Sequence, residues 1–473
     1  MQRKWRALVR RLAATVTVGG LLLTAGYLTA QTPSLGASVS VPAQNQDEIA
    51  RLFPSVKGDL FRLLQSEGDP RAGGGNLLLS AARPPDAWET LIQIRSSIPG
   101  VSVRDGDLAI GSGGEMALVY RWWRHTPRSK QVRLTRSGDG GKTWNQPSEQ
   151  LDGSGQAFDP RIAWVKGKGL VVVWSDERRG NRLFDIYARR SPDGGTTWEP
   201  EQVLSRFTRN GPNDLYARPQ MLSDGGDRLW AVWVGLRGTK SFLFLNRSLD
   251  GGRTWTDPTL LSGESRSVFG QTLHRTGDHM LLVWHDTAGE PDRIYAVSSG
   301  DAGATWTLPV RVDHLPAGSP AASSSTVLLN PDGEALVAWQ DARNGREDIF
   351  LSRSTDWGRT WSTEDQRIDM DEPGTAISRF PKLTKAPDSR VAIAWEDDRA
   401  GFEAVYVRVR SAGQKPEWGS EVLVAPSTTK VAARIPDLAW GSGGLYVSWQ
   451  VWDHALGRLE KRVASRILHL DSR

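Results

Sequence analysis

Seven side chains have types and placements that could do chemistry. Four are arginines at or near the start of apolar strands, Arg161, Arg218, Arg379 and Arg434, several with a proline one or two residues away. Three are the aspartates of a W-x-D-x-R pattern, in Trp174-Ser-Asp176-Glu-Arg178, Trp339-Gln-Asp341-Ala-Arg343 and Trp395-Glu-Asp397-Asp-Arg399. A partial copy stands at Trp284-His-Asp286. Guanidinium groups gathered at one mouth repel unless they are paired or hold an anion, and their planar fork suits carboxylate or phosphate. The aspartates have a plainer reading, a salt bridge that fastens a loop to its neighbour in unit after unit. All seven are carried forward as candidate ligand-binding residues.

Other chemistries are excluded. The chain has no Cys, which removes thiolate catalysis, thiolate metal sites and disulfides. No H-E-x-x-H and no G-x-x-x-x-G-K-[ST] occurs, and His274 and His279 lack the i, i+4 spacing of a metal pair. No metal and no cofactor is expected.

The elements that must position these residues announce themselves by repetition. The pattern S-x-D-x-G-x-T-W occurs five times, ending at Trp144, Trp198, Trp255, Trp306 and Trp361, with a decayed copy ending at Trp418. About 20 residues before each copy, an alternating apolar strand ends in an aromatic: Tyr120, Trp174, Trp233, Trp284, Trp339, Trp395 and Trp449. These aromatics are 54, 59, 51, 55, 56 and 54 residues apart, so the chain holds seven units. Each unit reads as four short strands, A to D, separated by turn residues. Gly111-Ser-Gly-Gly114 is one such hairpin loop. Four-stranded units at this period predict an all-β, seven-bladed β-propeller of antiparallel blades, with six blades as the alternative. Unit seven ends without a fourth strand. Asp86–Arg95 is expected to supply it, because Trp88 lies 56 residues before Trp144, and so to close the ring.

The repeated octapeptide suits a tight turn between strands C and D. Its Asp can accept unpaired backbone N–H groups, its Gly can take positive φ, and its Trp can wedge between blades. Alternation of strand direction then puts these turns and the A–B turns on one face. The B–C loops, with the W-x-D-x-R aspartates, and the starts of the A strands, with the arginines, fall on the other.

The octapeptide is the Asp-box, or BNR repeat, and the chain resembles the sialidase-like Asp-box β-propellers over residues 86–473. That resemblance implies either a glycan- or protein-binding module or a glycosidase. In sialidases an arginine triad grips the sugar carboxylate, a Tyr assisted by Glu attacks the anomeric carbon, and an Asp protonates the leaving group. The residues carry this over poorly. The family's early F/Y-R-I-P motif finds only Val101-Ser-Val-Arg104-Asp105 in unit one, while Arg379-Phe-Pro and Arg434-Ile-Pro come late. Tyr406 and Tyr446 fall inside apolar strands, so no nucleophile is named.

Charge places the protein rather than its ligand. The net charge is +5, but residues 1–46 carry Arg3, Lys4, Arg6, Arg10 and Arg11 and no acidic residue. Without them basic and acidic side chains balance, so no nucleic-acid partner is expected. Residues 1–43 read as a signal peptide or signal anchor, with a basic start and an apolar run over 12–30. Residues 44–75 read as a helical spacer and flexible linker, and 76–473 as the propeller. The expected protein is exported to the periplasm or beyond, touches membrane only through its N-terminus and is a monomer. It is expected to bind an anionic glycan or an envelope protein; an exo-α-sialidase with diverged residues is the alternative.

Overall fold

The computed structural model describes residues 47–468 apart from 55–58, 67–74, 84–86, 97, 147, 181–182, 206–214, 238–239, 264–266, 287–290, 317, 414–415, 429–430, 442–443 and 454–459. The expected leader, residues 1–43, lies outside the described residues. Among the described residues no helix is long and apolar enough to cross a membrane.

The seven repeats are seven antiparallel blades, and the fold is an all-β propeller. Blade one is β5 (Val101–Ile110), β6 (Met116–Arg124), β7 (Ser129–Ser137) and β8 (Glu149–Gln150). Blades two to six span residues 157–203, 215–260, 268–311, 323–367 and 378–425, each with four strands in sequence order. Blade seven, 431–468, has three.

An eighth sheet precedes them and corrects two expectations. It is built from β1 (Asp47–Pro54), β2 (Leu60–Ser66), β3 (Asn76–Arg83) and β4 (Ala87–Arg95). Where a helical spacer is expected within 44–75, Asp47–Pro54 and Leu60–Ser66 are therefore strands. Leu60, Phe61, Leu63 and Leu64 are all buried, so β2 has apolar residues on both faces and loses the alternation that marks a strand. The expected ring-closing strand over 86–95 pairs with β3, not with blade seven. Only three residues separate β3 from β4, and so short a connection favours the local hairpin. The sheet nonetheless sits between the last repeat and the first. Phe53, Leu63, Leu77 and Leu79 pack with Val103, Met116 and Leu118 of blade one. On the other side Leu52 and Leu60 pack with Ala439 and Tyr446 of blade seven, where the Leu52 N–H donates to Asp437 Oδ2 at 3.1 Å.

The core lies between blades rather than within them. Each large apolar cluster draws on two neighbouring sheets, such as Val119, Leu134 and Leu151 of blade one with Ile162, Val172 and Trp174 of blade two. Trp174, Trp233, Trp284, Trp339 and Trp395 are fully buried at these seams. Removing roughly 200 Å2 of indole from water contributes about 5 kcal/mol each at ~25 cal/mol per Å2.

The Asp-box turns are built alike. In blade one Ser137 Oγ donates to Asp139 Oδ1 at 2.8 Å and accepts the Gly141 N–H, while the Thr143 N–H and Oγ1–H donate to the two carboxylate oxygens at 2.9 and 2.6 Å. Blades two to five repeat this set around Asp193, Asp250, Asp301 and Asp356. The glycine of the S-x-D-x-G-x-T-W pattern in blade one, Gly141 at φ +89°, abuts the N-terminal sheet: a Cβ there would stand 2.6 Å from Leu91 Cδ1. The box Trp is half-buried against the seam, as the wedge reading expects. Box and A–B turns share one face, joined by Gly251 N–H to Asp227 O and Trp357 N–H to Gly333 O.

Two predictions follow from this packing. Leu79→Ala in β3 should cost about 2–5 kcal/mol, as Leu336→Ala in blade five should, because each empties a fully buried site. A denaturant melt unchanged by Leu79→Ala would remove the N-terminal sheet from the cooperative body. The Thr and Ser hydrogen bonds draw Asp139, Asp193 and Asp301 down to about 2. A depressed carboxyl stabilises the fold above its unfolded value, so this contribution should be lost as pH falls from about 4 to 2. Replacing Asp301 with Asn should flatten that acid slope in melts taken across the same range.

Candidate functional site

The face opposite the Asp-boxes is organised by one backbone device. Every A strand of the seven blades carries a bulge near its start, with one residue in the left-handed region. These residues are Asp105, Asp159, Arg218, Gly270, Ser324, Phe380 and Ile435, at φ 48–63°. For Phe and β-branched Ile this conformation is costly and persists only when the surroundings hold it. Here a side chain of the preceding sheet accepts the N–H at the bulge. Gln65 Oε1 receives Asp105, Gln340 Oε1 receives Phe380 and Glu396 Oε2 receives Ile435, at 2.8, 2.8 and 2.9 Å. Two residues past the bulge, side chains stitch neighbouring A strands, as Asp107 Oδ2 does by accepting the Ile162 N–H at 3.0 Å.

The four arginines occupy three different places in this device. Arg379 and Arg434 stand one residue before the left-handed residue, Arg218 is that residue, and Arg161 stands two after it. They are not copies of one position, because the bulge proline precedes Arg161 but follows the other three. Arg379 pairs with Glu347 at 2.8 Å. Arg434 meets Glu396 at 3.3 Å and Glu403 at 3.6 Å, and stacks over Trp452 at 4.5 Å. Burial pushes Glu396 up to about 7 against the pull of Arg434.

Arg161 and Arg218 share a neighbourhood that the arginine pattern alone did not reveal. Both act on Asp159, together with Asp105 and with Arg121 of β6. Arg121 Nε lies 2.8 Å from Asp105 Oδ2. Desolvation, then the charge of Asp105, raises the Asp159 carboxyl above the ordinary carboxylate range, against three guanidinium groups that draw it down. Blades one to three thus gather three cations and two carboxyl groups at adjoining bulges. Asp105, Arg121 and Asp159 were missed as site residues. Their signal was present in Gly106 and Pro160, which sit inside strands where only a bulge accommodates them.

Asp176, Asp341 and Asp397 are fully buried and committed within their blades. Asp341 Oδ2 accepts the Trp339 indole N–H at 2.7 Å and Arg343 Nη2 at 2.8 Å, and Arg343 also pairs with Asp365. Asp176 and Asp397 accept the same Trp and Arg donors, with Arg178 reaching Glu201 and Arg399 reaching Glu421. Each Arg lies 3.8–4.3 Å over an aromatic of strand C, Tyr187, Phe350 or Tyr406, which stacks in turn on the Trp. The Asp and Arg of the motif are committed to their own blade's strands C and D, while other residues of the same loops reach a neighbouring blade, as Glu177 does in accepting Lys130 Nζ of blade one at 2.6 Å. Tyr406 belongs to this lock and Tyr446 is 2% exposed. One further carboxylate group, Asp348, Asp369 and Asp371, draws close enough for a cation, but Arg367 bridges all three at 3.1, 2.6 and 2.5 Å. The positive charge is already supplied there.

Residues 162–393 match the BNR repeat-like domain family. A sialidase of Micromonospora viridifaciens is 25% identical over 349 residues, covering 63% of this chain and 49% of that protein. The chain therefore spans about half the length of that curated relative. Among solved structures, the Hadza microbial sialidase Hz136 is similar at 14% identity and TM-score 0.38, over 92% of this chain and 98% of that one. The α-L-arabinofuranosidase of Fusarium graminearum bound to arabinobiose is similar at 17% identity and TM-score 0.38, over 65% and 92%.

The lock makes its own prediction. Asp341→Ala should destabilise the fold by about 3–5 kcal/mol, because Arg343 and the Trp339 indole N–H lose a fully buried partner. Ligand binding to the folded variant at low temperature should be unchanged, checked by a titration beside the melt.

Proposed function

As the chain is a sialidase-like Asp-box propeller with BNR repeats, we propose that its bulge face binds an anionic glycan through the arginines of blades one to three. The observation that carries this reading is the gathering of Arg121, Arg161 and Arg218 around Asp159. Three guanidinium groups and two carboxyl groups share this neighbourhood, where strained backbone holds the side chains in place. A ligand carboxylate meets forked donors there, and charge-assisted contacts of this kind are the strong ones. Arg379 and Arg434 stand apart from this group, at the bulges of blades six and seven, and play the lesser part. The basic, apolar leader supports export, so the ligand is an envelope or extracellular glycan; residues 12–30 serve either as a signal that is cut or as an anchor that holds the chain at the membrane.

Asp159 favours a second reading. A carboxyl whose pKa burial raises is what a glycosidase acid needs. On this reading the protein hydrolyses a sialoside, with Asp159 protonating the leaving oxygen. Tyr216 and Tyr446 are buried in the seams.

The purified chain should bind sialyllactose in calorimetric titrations, and Arg161→Ala and Arg218→Ala should each weaken binding about ten- to a hundredfold, the worth of one charged hydrogen bond. Equal affinity in both variants would overturn the assignment. A fluorogenic sialoside decides between the readings: turnover abolished by Asp159→Asn makes the protein an enzyme, and no turnover with binding intact makes it a lectin-like module.

A further inference from the structure

The B–C rim of blade one differs in kind from the others. Where blades two, five and six place Trp-x-Asp-x-Arg, blade one reads Tyr120-Arg121-Trp122-Trp123-Arg124-His125. The aspartate of the buried lock is replaced by Trp122, which Arg124 and Arg133 flank at 5.1 and 5.3 Å. The strand also runs on past the usual end. Trp123 pairs with Ser102, Arg124 with Val101, and the His125 N–H donates to Gly100 O at 2.9 Å.

Because successive side chains of a strand alternate, Arg121 and Trp123 lie on one face of β6, and His125, the first residue past its end, follows them toward the rim. Distances bear this out. The Trp123 and His125 rings lie 4.1 Å apart at 35°, and the Arg121 guanidinium lies 5.4 Å from the Trp123 ring. Arg121 in turn pairs with Asp105 and acts on Asp159, so the aromatic pair begins where the arginine group ends. All three residues are half-buried, neither sealed in a seam nor splayed into solvent. A core does not require them: the corresponding residue to Trp123 is Glu177 in blade two, Ala342 in blade five and Asp398 in blade six.

We infer that Trp123 and His125 form a stacking platform for the ring of an acidic pyranose, holding its apolar C–H face while the neighbouring arginines hold its carboxylate. This rests on the binding reading above and deepens it by naming what selects a sugar over any other carboxylate. A flat carbon–hydrogen face laid on an indole buries apolar area that a bare carboxylate lacks. The guanidinium beside Trp123, 5.4 Å from its ring, helps to fix the indole.

The test compares two probes on the full chain, sialyllactose and acetate, by chemical-shift titration. Trp123→Ala and His125→Ala should each weaken sialyllactose binding, the former at least tenfold, with acetate binding unchanged, and Trp123→Phe should recover most of the loss. Thermal melts of the variants identify any that fail to fold, and the Phe variant keeps the test open if Ala does not fold. If the unaltered chain binds both probes and neither aromatic substitution shifts sialyllactose affinity, the platform is overturned while the anion site stands. If the unaltered chain binds neither probe, the anion site falls and takes the platform with it.

Discussion

Burial of both faces of each blade is the constraint on which the rest of the structure depends. A sheet wedged between two neighbours has no solvent side, so strands such as Leu170–Asp176, Ala335–Asp341 and Val391–Asp397 are buried from end to end. Any polar group in them must find its partner inside the protein. The Trp, aromatic, Arg and Asp stack is the answer at the end of strand B. The end of strand D gives another, where Asp152, Ser205, Ser262, Asp313 and Asp369 each accept the N–H of a strand C residue. What looks from the sequence like a chain rich in charged motifs is largely a scaffold satisfying its own backbone.

That distinction explains what could be read in advance and what could not. The Asp-box spacing and the period of the strand B aromatics reveal the seven blades and which turns share a face, because both follow from strand alternation. The aspartates of W-x-D-x-R repeat with the scaffold, and the structure places them with the scaffold. The N-terminal sheet escaped because it carries no box and because β2, apolar on both faces, mimics helical spacing. The arginines were legible as a class but not in register. A bulge shifts the side-chain phase by one residue, and only the flanking proline or glycine records where.

The candidate site owes its geometry to those bulges. Left-handed Phe380 and Ile435 would relax if the N–H acceptors Gln340 and Glu396 were absent, so the strain is held by side chains from the preceding sheet. Neighbouring blades therefore share the work of shaping each position. The same sharing joins Arg121, on strand B of blade one, to Asp159 and Arg161 of blade two and Arg218 of blade three.

One consequence of the bulges reaches beyond this ligand. They set one left-handed position on each of the seven A strands, and none of these seven residues belongs to the apolar clusters of the seams. Asp105, Asp159, Arg218, Gly270, Ser324, Phe380 and Ile435 share a backbone shape and almost nothing else. Chemistry at the rim can thus be exchanged one residue at a time while the body stays intact, which makes the wheel a mount whose tooling is interchangeable.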